Sequence, residues 1–523
     1  MRARWLEIFI LVFILALAAY FRLTNLPNNP GWYTDETTHV DIARHLLHGR
    51  VQYLAINQSM MLVGRPPLFH LLLAGLFRLF GADIAVLRAF TGALGVISVA
   101  LLYWVARRAA GERTFALLAA LMLAIYPNAV LYSRFGFSYN LLAPLVLLMM
   151  LGLWEYLQTP PPGPLLEFRE GEECSSIVRG RGWLALAALA VGVGATSDLL
   201  MMTFAAPFVL VVLAKRWRDL LWSLPLMALP FGLYSLWMLA SAPRAFLFDL
   251  QFTFARLGAI PLKDQLPNVA LNYTVLISQD FWMLSGVIGL FLLRPARGQR
   301  LSLLVFLLPL VLLGRTAALY SLSFYYMIAL LPLVALGAAA LARYGAPYVF
   351  CIVCAGLEAA QRPLAIIGAG LVPLLVVVAP LLTSTALLVG QVTGYWNTAI
   401  EPFLIDADDA RQAAEYVNAR TSADDVVIGS PPLAWLFEAN AADFQMAVAA
   451  TGESTVHFPP DVPADRFAFD PRYTRARFVV VDNLWRNWGA VHIPGVLRML
   501  REVEAWPLVF EAGAIQVYRN PAF

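Results

Sequence analysis

The sequence predicts a polytopic α-helical membrane protein of about eleven spans, followed by a small extracytoplasmic α/β domain. Of its 523 residues, 60% are hydrophobic and 14% are charged, and the mean hydropathy is +0.69. Soluble domains carry roughly 25% charged residues, so this composition places most of the chain in lipid. A polar composition returns only near residue 400. The chain therefore divides into a membrane module, 1–390, and a water-soluble domain, 391–523.

Apolar runs of about 17 to 25 residues indicate the spans, and arginine and lysine clusters indicate their cytoplasmic ends. With the N-terminus inside, every strongly basic turn also lies inside: Arg107–Arg108, Lys215–Arg218 and Arg294–Arg300. No cleavage site follows the first apolar run, which favours an uncleaved signal anchor. The predicted spans are 6–23, 84–106, 114–131, 138–157, 183–198, 199–214, 219–241, 273–293, 301–314, 322–342 and 364–388.

This topology puts the first loop, 24–83, on the outer face of a cell membrane, together with the loop 242–272 and the C-terminal domain. The net charge of +3 is too small to indicate nucleic acid as a partner. The three cysteines, Cys174, Cys351 and Cys354, form neither a disulfide framework nor a complete zinc site.

The C-terminal domain reads as alternating helices and strands. An amphipathic helix begins near 406, VVIGS (426–430) and FVVVD (478–482) are strand-like, and a helix near 493–504 precedes two strands around the turn at 511–513. The domain has no Gly-rich phosphate loop and no arrangement typical of a nucleophile. A lid, an acceptor platform or a structural cap are its predicted roles.

The first loop holds the most informative pattern. Asp35 and Glu36 follow the first span, and GRPPLFH (64–70) lies further along the same loop. The loop also contains four of the six histidines, His39, His45, His48 and His70. Thr34 can cap a helix from Asp35 to about His48, which we expect to lie flat on the membrane surface with its polar face in water. A plain alternative is that acids in a first helical turn complement the helix dipole, for about 0.3–1 kcal/mol.

The order of these features resembles the protein O-mannosyltransferase and aminoarabinose transferase families. These are GT-C class glycosyltransferases, which transfer a sugar from a polyprenyl phosphate on the outer membrane face. The resemblance rests on the outward Asp-Glu pair, on Arg65-Pro66-Pro67, and on LRAFTGALGVISVALLYWVARRAAG (87–111) and YSRFGFSYNLL (132–142). The sequence motifs match over about residues 25–150. In the rest of the chain the resemblance is one of architecture, including the outward domain after the last span.

The resemblance implies that Asp35 is the catalytic base and that Glu36 supports it or binds a metal. Arg65 matches the basic residue before the prolines and is implied to hold the donor phosphate in two-point contact. Further substrate-binding candidates are His70, Arg134 and Arg315, whose plain alternative is the anchoring of helix ends at the interface. Relatives often carry a second acid where this chain has Tyr139-Asn140, which puts a metal or base role there in doubt.

Two other features have open interpretations. Asp35 and His39, or Asp41 and His45, are four residues apart and could hold a divalent metal, the one cofactor that the sequence indicates, although solvated histidines would give the same pattern. Asp198, between two short spans, would be costly in lipid and is therefore a substrate-site candidate. It is either a partner of the active-site loop or a plain loop acid.

The predicted function is that of an inverting glycosyltransferase. It would move a sugar from a polyprenyl-phosphate donor to a hydroxyl of a lipid, glycan or protein acceptor. A transporter or flippase of a lipid-linked substrate is the alternative, although such proteins usually show internal repeats with interrupted helices, and none is evident in the sequence. A non-catalytic scaffold would leave the Asp35-to-Pro67 pattern unexplained.

Overall fold

A computed structural model describes residues 2–58, 65–159, 172–257, 261–293, 324–355, 379–394 and 403–523. Helices dominate the membrane module, because its long apolar runs satisfy their own backbone hydrogen bonds only as helices. They are α1 (Arg2–Leu23), α2 (Thr34–Leu47), α3 (Leu68–Phe80), α4 (Ile84–Ala110), α5 (Arg113–Ile125), α6 (Pro127–Arg134), α7 (Tyr139–Gln158), α8 (Glu172–Ala195), α9 (Ala205–Arg216), α10 (Leu220–Ser241), α11 (Pro243–Leu257), α12 (Leu262–Gln279), α13 (Phe281–Leu290), α14 (Leu331–Ala355) and α15 (Ala379–Val392).

Membrane-crossing helices are present at most of the predicted places. In the described part of the chain, five helices are long and apolar enough to cross a membrane, or six if the bent pair α5 and α6 is one span. The predicted spans 199–214 and 219–241 lie in one helical stretch of 43 residues, Leu199–Ser241, with 3₁₀ turns at Leu199–Phe204 and Trp217–Asp219. Span 301–314 and most of 364–388 lie outside the described residues. The polytopic helical class is confirmed, and the total of eleven stays a prediction.

Two predicted spans are not straight helices. The span 273–293 breaks at Asp280, whose extended backbone ends α12 and whose carboxylate accepts the backbone N–H of Trp282 to begin α13. The span 114–131 bends by 55° between α5 and α6. Pro127 begins α6, and because it has no N–H it cannot continue the hydrogen-bond ladder of α5.

The helix α13 packs closely on α14 through small residues. A side chain at Gly289 would collide with the backbone of Gly337, and one at Gly286 would collide with Val334. Small residues let membrane helices approach backbone to backbone, where van der Waals contacts hold them together.

The first loop is more structured than the sequence indicates. Strand β1 (Trp32–Tyr33) leads into α2, and a short hairpin of β2 (Gln52–Tyr53) and β3 (Ile56–Asn57) follows it. Tyr33, not Thr34, is the N-cap residue of α2. The prediction of an exposed polar face is wrong, because every residue from Glu36 to Ala43 is buried. The helix α3, which the sequence analysis missed, packs on α2.

The C-terminal domain contains each predicted helix and strand. Its sheet has the order β6-β5-β7-β9-β8, in which β6, β5 and β7 are parallel and β9 is antiparallel to both neighbours. The elements are β4 (Leu404–Ile405), α16 (Ala407–Asn418), β5 (Val426–Gly429), α17 (Pro431–Ala434), β6 (Asn440–Asp443), α18 (Phe444–Ala449), β7 (Phe478–Val481), α19 (Ala490–His492), α20 (Pro494–Val503), β8 (Leu508–Ala512) and β9 (Ile515–Arg519).

The carboxyl edge of the parallel strands contacts the first loop. The Thr37 hydroxyl of α2 donates to the carbonyl of Pro431, just beyond β5, at 3.0 Å. The Tyr53 hydroxyl donates to Asp443, the last residue of β6, at 3.4 Å. Strand β1 also pairs with β4 in an antiparallel ladder. The first loop and the C-terminal domain therefore lie on one side of the molecule, and the domain covers α2 as a cap.

A buried arginine connects this assembly to α11. Arg466 of the C-terminal domain forms an ion pair with Asp249 at 2.9 Å, and both side chains are almost fully buried. Its guanidinium also donates to the carbonyls of Asn57 and Gln58 at the end of β3. Three segments that the predicted topology puts on the outer face, around 57, 249 and 466, therefore meet at one residue.

Candidate active site

Glu36 is the centre of a fully bonded buried ion pair. Arg88, from α4, donates to both carboxylate oxygens of Glu36 at 2.8 Å, and neither side chain is exposed. The backbone N–H groups of Gly136 and Tyr33 donate to the same oxygens at 2.7 and 3.0 Å. Because each oxygen already accepts two hydrogen bonds, Glu36 has no capacity left for a metal ion. The geometry makes it a support for the start of α2, and the predicted metal-ligand role does not fit.

Arg88 also holds the segment before α2. Its remaining donors bond three carbonyls, at 2.8 Å each, from Leu26, Pro30 and Gly31. The sequence analysis gave Arg88 no role. An arginine within an apolar span is itself a signal of a polar site, because its burial is costly without partners.

Asp35 lies one residue before this pair and has a different environment. Its carboxylate accepts a hydrogen bond from Arg65 Nη2 at 2.7 Å, and 23% of the Asp35 side chain is exposed. The other terminal nitrogen of Arg65, Nη1, is buried and has no hydrogen-bond partner in the described part of the chain. Although burial opposes the charge, the Asp35 carboxylate outweighs it and raises the pKa of Arg65. The two predicted active-site residues therefore meet, and one charged donor remains open.

His39 and His70 form a second buried contact, next to Asp35 and Arg65. His39 Nδ1 lies 2.8 Å from His70 Nε2, and the backbone N–H of Ser138 donates to His39 Nε2 at 3.4 Å. Since His39 Nε2 accepts, the proton of the neutral ring is on Nδ1 and is donated to His70. Burial and the nearby Arg65 lower the pKa of His70 to about 3, and burial lowers that of His39 well below its usual range. Both rings are neutral at pH 7 and connect α2, α3 and the α6–α7 turn.

Asp198 belongs to the surroundings of Arg65. Its carboxylate accepts the backbone N–H of Leu200 at 2.8 Å, and it contributes to the electrostatic environment of Arg65. The carbonyl of Thr196 accepts the backbone N–H of Leu68 at 2.9 Å, which holds this loop against the segment that carries Arg65. Of the two interpretations of Asp198, the geometry favours the partner of the active-site loop.

Arg134 has a structural position. Its guanidinium is buried and donates to backbone carbonyls at the end of α1 and beyond it, those of Phe21, Thr24, Asn25 and Asn29. Asn140 similarly donates to the carbonyls of Tyr132, Phe135 and Phe137. These contacts fix the loop after α1, and the substrate contact of Arg134 stays a prediction. Arg315 lies outside the described residues.

Other contacts separate one of the two pairs predicted for metal binding, Asp35 and His39, whereas Asp41 and His45 contact each other. Asp35 bonds Arg65 and His39 bonds His70, while Asp41 accepts the backbone N–H of Leu54 at 2.7 Å and lies 3.3 Å from His45. Across the described ranges, no group of three or more His, Cys, Asp or Glu side chains is arranged to hold a metal ion.

Aromatic side chains form a cluster beside the site. Tyr33 contacts Phe137 and Tyr325 with ring centroids 5.0 and 6.4 Å apart, and Tyr139 stacks on Tyr325 at 5.9 Å. Tyr139 also contributes to the electrostatic environment of Arg65. The charged pair is thus bordered by an apolar wall built from the first loop, α7 and the turn before α14.

Comparisons with known proteins agree with this architecture. Residues 64–162 match the family model of dolichyl-phosphate-mannose-protein mannosyltransferase. An uncharacterised protein of Aquifex aeolicus is 31% identical over 117 residues, which are 22% of this chain and 23% of that relative. This chain therefore matches about a quarter of that relative's length.

Two solved structures share the fold. ArnT from Cupriavidus metallidurans, bound to undecaprenyl phosphate, superposes with a TM-score of 0.62 at 15% identity, covering 100% of this chain and 99% of ArnT. The archaeal oligosaccharyltransferase AglB from Archaeoglobus fulgidus, in complex with an inhibitory peptide and a dolichol-phosphate, gives 0.52 at 12% identity, covering 96% and 72%. The predicted resemblance is confirmed: this chain has the fold of the GT-C membrane glycosyltransferases, and its residues 64–162 are similar to the protein O-mannosyltransferase family.

Proposed function

We propose that the protein is an inverting glycosyltransferase that uses a polyprenyl-phosphate sugar as donor. The observation that carries this proposal is the Asp35–Arg65 pair, in which the carboxylate is partly exposed and the buried Arg65 Nη1 has no hydrogen-bond partner among the described residues. A buried charged donor with no partner is costly, and an anionic phosphate is a ligand that satisfies it. The ArnT structure with undecaprenyl phosphate supports the choice of lipid.

The reaction needs one base and one anion-binding group, and the pair supplies both. Asp35 accepts the proton of the acceptor hydroxyl as its oxygen attacks the anomeric carbon. The bond between that carbon and the phosphate oxygen breaks, and its electron pair leaves with the phosphate. Arg65 stabilises the charge that develops there. The products are the glycoside, with inverted configuration, and the polyprenyl phosphate.

Glu36, Arg88, His39 and His70 hold this pair in place. Asp35 directly precedes the buried Glu36, and His70 is five residues after Arg65, so the two buried contacts fix both ends of the site. Positioning of this kind matters because misplacement of a reacting group by about 1 Å can cost on the order of 10² in rate.

The experiment is sugar transfer by purified protein in nanodiscs, with a panel of radiolabelled polyprenyl-phosphate sugars and acceptors. No second compartment exists there, so transport cannot produce a signal. Asp35→Asn is expected to lower the transfer rate by about 10²–10⁴ while leaving donor binding intact. Asp408→Asn, at an exposed site of the C-terminal domain, is the matched control. Near-normal transfer by Asp35→Asn would leave Asp35 with only the role of an acid in the first turn of a helix. If the wild type transfers no sugar with any donor and acceptor of the panel, the transporter is favoured.

The orientation of the site toward the outer face is a separate part of the proposal. His48 of the first loop and Asp424 of the C-terminal domain are both exposed. In a cysteine-free background, His48→Cys and Asp424→Cys are expected to react with an impermeant thiol reagent in intact cells. Protection of both until the membrane is opened would place the site inside.

A further inference from the structure

The turn after β7 lies where α/β domains usually bind ligands. Asp482 follows β7 and accepts the backbone N–H groups of Leu484 and Trp485, which begins a π-helical turn, Trp485–Gly489. Turns of this type occur frequently at functional sites. Ligands of open α/β sheets bind beyond the carboxyl ends of the parallel strands, and β7 is the strand where parallel pairing changes to antiparallel.

This turn presents a fixed aromatic surface. The Trp488 side chain is half-buried, and its ring packs against Phe403 and Phe444 with centroids 6.0 and 6.3 Å away. The exposed His492 ring lies nearly parallel to it, at 5.5 Å and 28°. These three ring contacts hold the half-buried indole in place, and the exposed imidazole stacked on it extends the aromatic surface into solvent.

Polar atoms surround this surface. His492 Nδ1 lies 2.9 Å from the carbonyl oxygen of Trp488, and because a carbonyl only accepts, Nδ1 carries the proton. In the neutral ring His492 Nε2 is therefore an acceptor. Asn487, the residue before Trp488 in the same turn, is exposed and offers an amide donor and acceptor.

Ring contacts connect the surface to the helix that carries the proposed catalytic carboxylate. Phe403, which packs on Trp488, also packs on Tyr33 with ring centroids 5.9 Å apart. Tyr33 is two residues before Asp35 and is the N-cap residue of the same helix. Two ring contacts therefore join Trp488 to the start of α2.

We propose that Trp488, His492 and Asn487 form an acceptor subsite and that the acceptor is a carbohydrate. This inference rests on the proposed function and narrows its acceptor to a glycan. A sugar ring presents an apolar C–H face, which matches an aromatic plane, and a rim of hydroxyl groups, which match the planar amide and imidazole. Membrane contact would instead use Val491, which is 69% exposed on the same segment.

Binding of soluble oligosaccharides to the full-length protein in nanodiscs tests the subsite. The panel contains neutral hexose, pentose and amino-sugar oligomers, and the readout is saturation-transfer NMR with titration. Trp488→Ala is expected to weaken binding by about tenfold or more, which corresponds to 1.4 kcal/mol. Trp488→Phe, which keeps the packing, and the exposed changes His492→Ala and Asn487→Ala are expected to weaken it less. Trp506→Ala is the matched control, since Trp506 stacks on Tyr473 elsewhere in the domain.

Three results would overturn the subsite: no oligosaccharide binds the wild type, His492→Ala and Trp488→Phe both bind like the wild type, or Val491→Asp weakens binding as much as they do. The third result would show that binding does not depend specifically on Trp488, His492 and Asn487. Release of sugar from the donor to water, with no acceptor present, reports on Asp35 and Arg65 separately. If the wild type binds oligosaccharides but neither releases nor transfers sugar from the donor, the proposed reaction is contradicted. If the wild type releases sugar but the Trp488 and His492 variants bind oligosaccharides as the wild type does, only the subsite is contradicted.

Discussion

Asp35 and Glu36 are neighbours in the chain, and each contacts one arginine, but the two pairs are built differently. The Glu36–Arg88 pair has no exposed surface, and both oxygens of Glu36 accept two hydrogen bonds. Within the described residues, the Asp35–Arg65 pair is joined by one hydrogen bond, is partly exposed and leaves Arg65 Nη1 without a hydrogen-bond partner. Saturated hydrogen bonding is what a structural support needs, and an open donor is what a binding site needs.

The largest expected effect is on stability and concerns the closed pair. Arg88→Ala leaves the Glu36 carboxylate buried and unpaired, so we expect a loss of about 3–5 kcal/mol in the free energy of unfolding. Unfolding of the detergent-solubilised protein measures it. Arg472→Ala, in an exposed ion pair with Asp470, is the control and should leave the free energy of unfolding nearly unchanged. An equal loss in both variants would contradict the supporting role of the Glu36–Arg88 pair.

The open pair should respond in activity and not in stability. Arg65→Ala is expected to lower sugar transfer by about 10²–10³, as the loss of a charge-stabilising donor typically does. Arg65→Lys should retain part of the rate, because lysine keeps the charge but loses the two-point geometry. Arg50→Ala, an exposed change in the same loop, is the control in the transfer assay. Robust transfer by Arg65→Ala would take Arg65 out of the site.

A moderate effect is expected from acid, through the neutral histidines. The pKa of His70 is lowered to about 3 in the folded protein. Between about pH 6.5 and pH 3, His70 is therefore protonated in the unfolded chain but neutral in the folded protein. Stability therefore falls with acidification from about pH 6.5 toward 3, by about 1.4 kcal/mol per pH unit for each such histidine. His70→Asn should reduce that slope by about one proton. His48→Asn changes an exposed ring and should leave the slope as it is, and equal slopes in all three proteins would contradict the prediction.

The smallest effect is expected from a chelator. In both pairs an arginine supplies the positive charge that a metal ion would otherwise bring to the carboxylate. We therefore expect EDTA to leave the transfer rate unchanged. If EDTA abolishes activity and added Mg²⁺ or Mn²⁺ restores it, Asp35 and the histidines of α2 are again candidates for metal ligands.

Local patterns in the sequence predicted much of this molecule. The composition indicates membrane helices, and alternating or amphipathic stretches after residue 400 indicate strands and helices that the domain contains. The motif of Asp35 followed by Arg65 and two prolines predicted the residues that meet at 2.7 Å. These features depend on neighbouring residues, which is the information that a single sequence holds.

Contacts between distant segments were not predictable in the same way. Arg88 is visible as a charge in an apolar run, but its partner is 52 positions away and could not be inferred from spacing. Likewise, a polar face on α2 normally indicates water, so the burial of His39 depends on α3 and on a domain that begins more than 350 residues later.

The pairing of β1 with β4 has a consequence for the synthesis of the protein. Residues 32–33 acquire their strand partners only when residues 404–405 have been made, and the cap over α2 is complete only after the rest of the domain has folded. Until then a growing chain holds a helix with several polar groups that lack their final partners. A ribosome that stops early would thus release a chain with an uncovered α2, which quality-control proteases can recognise.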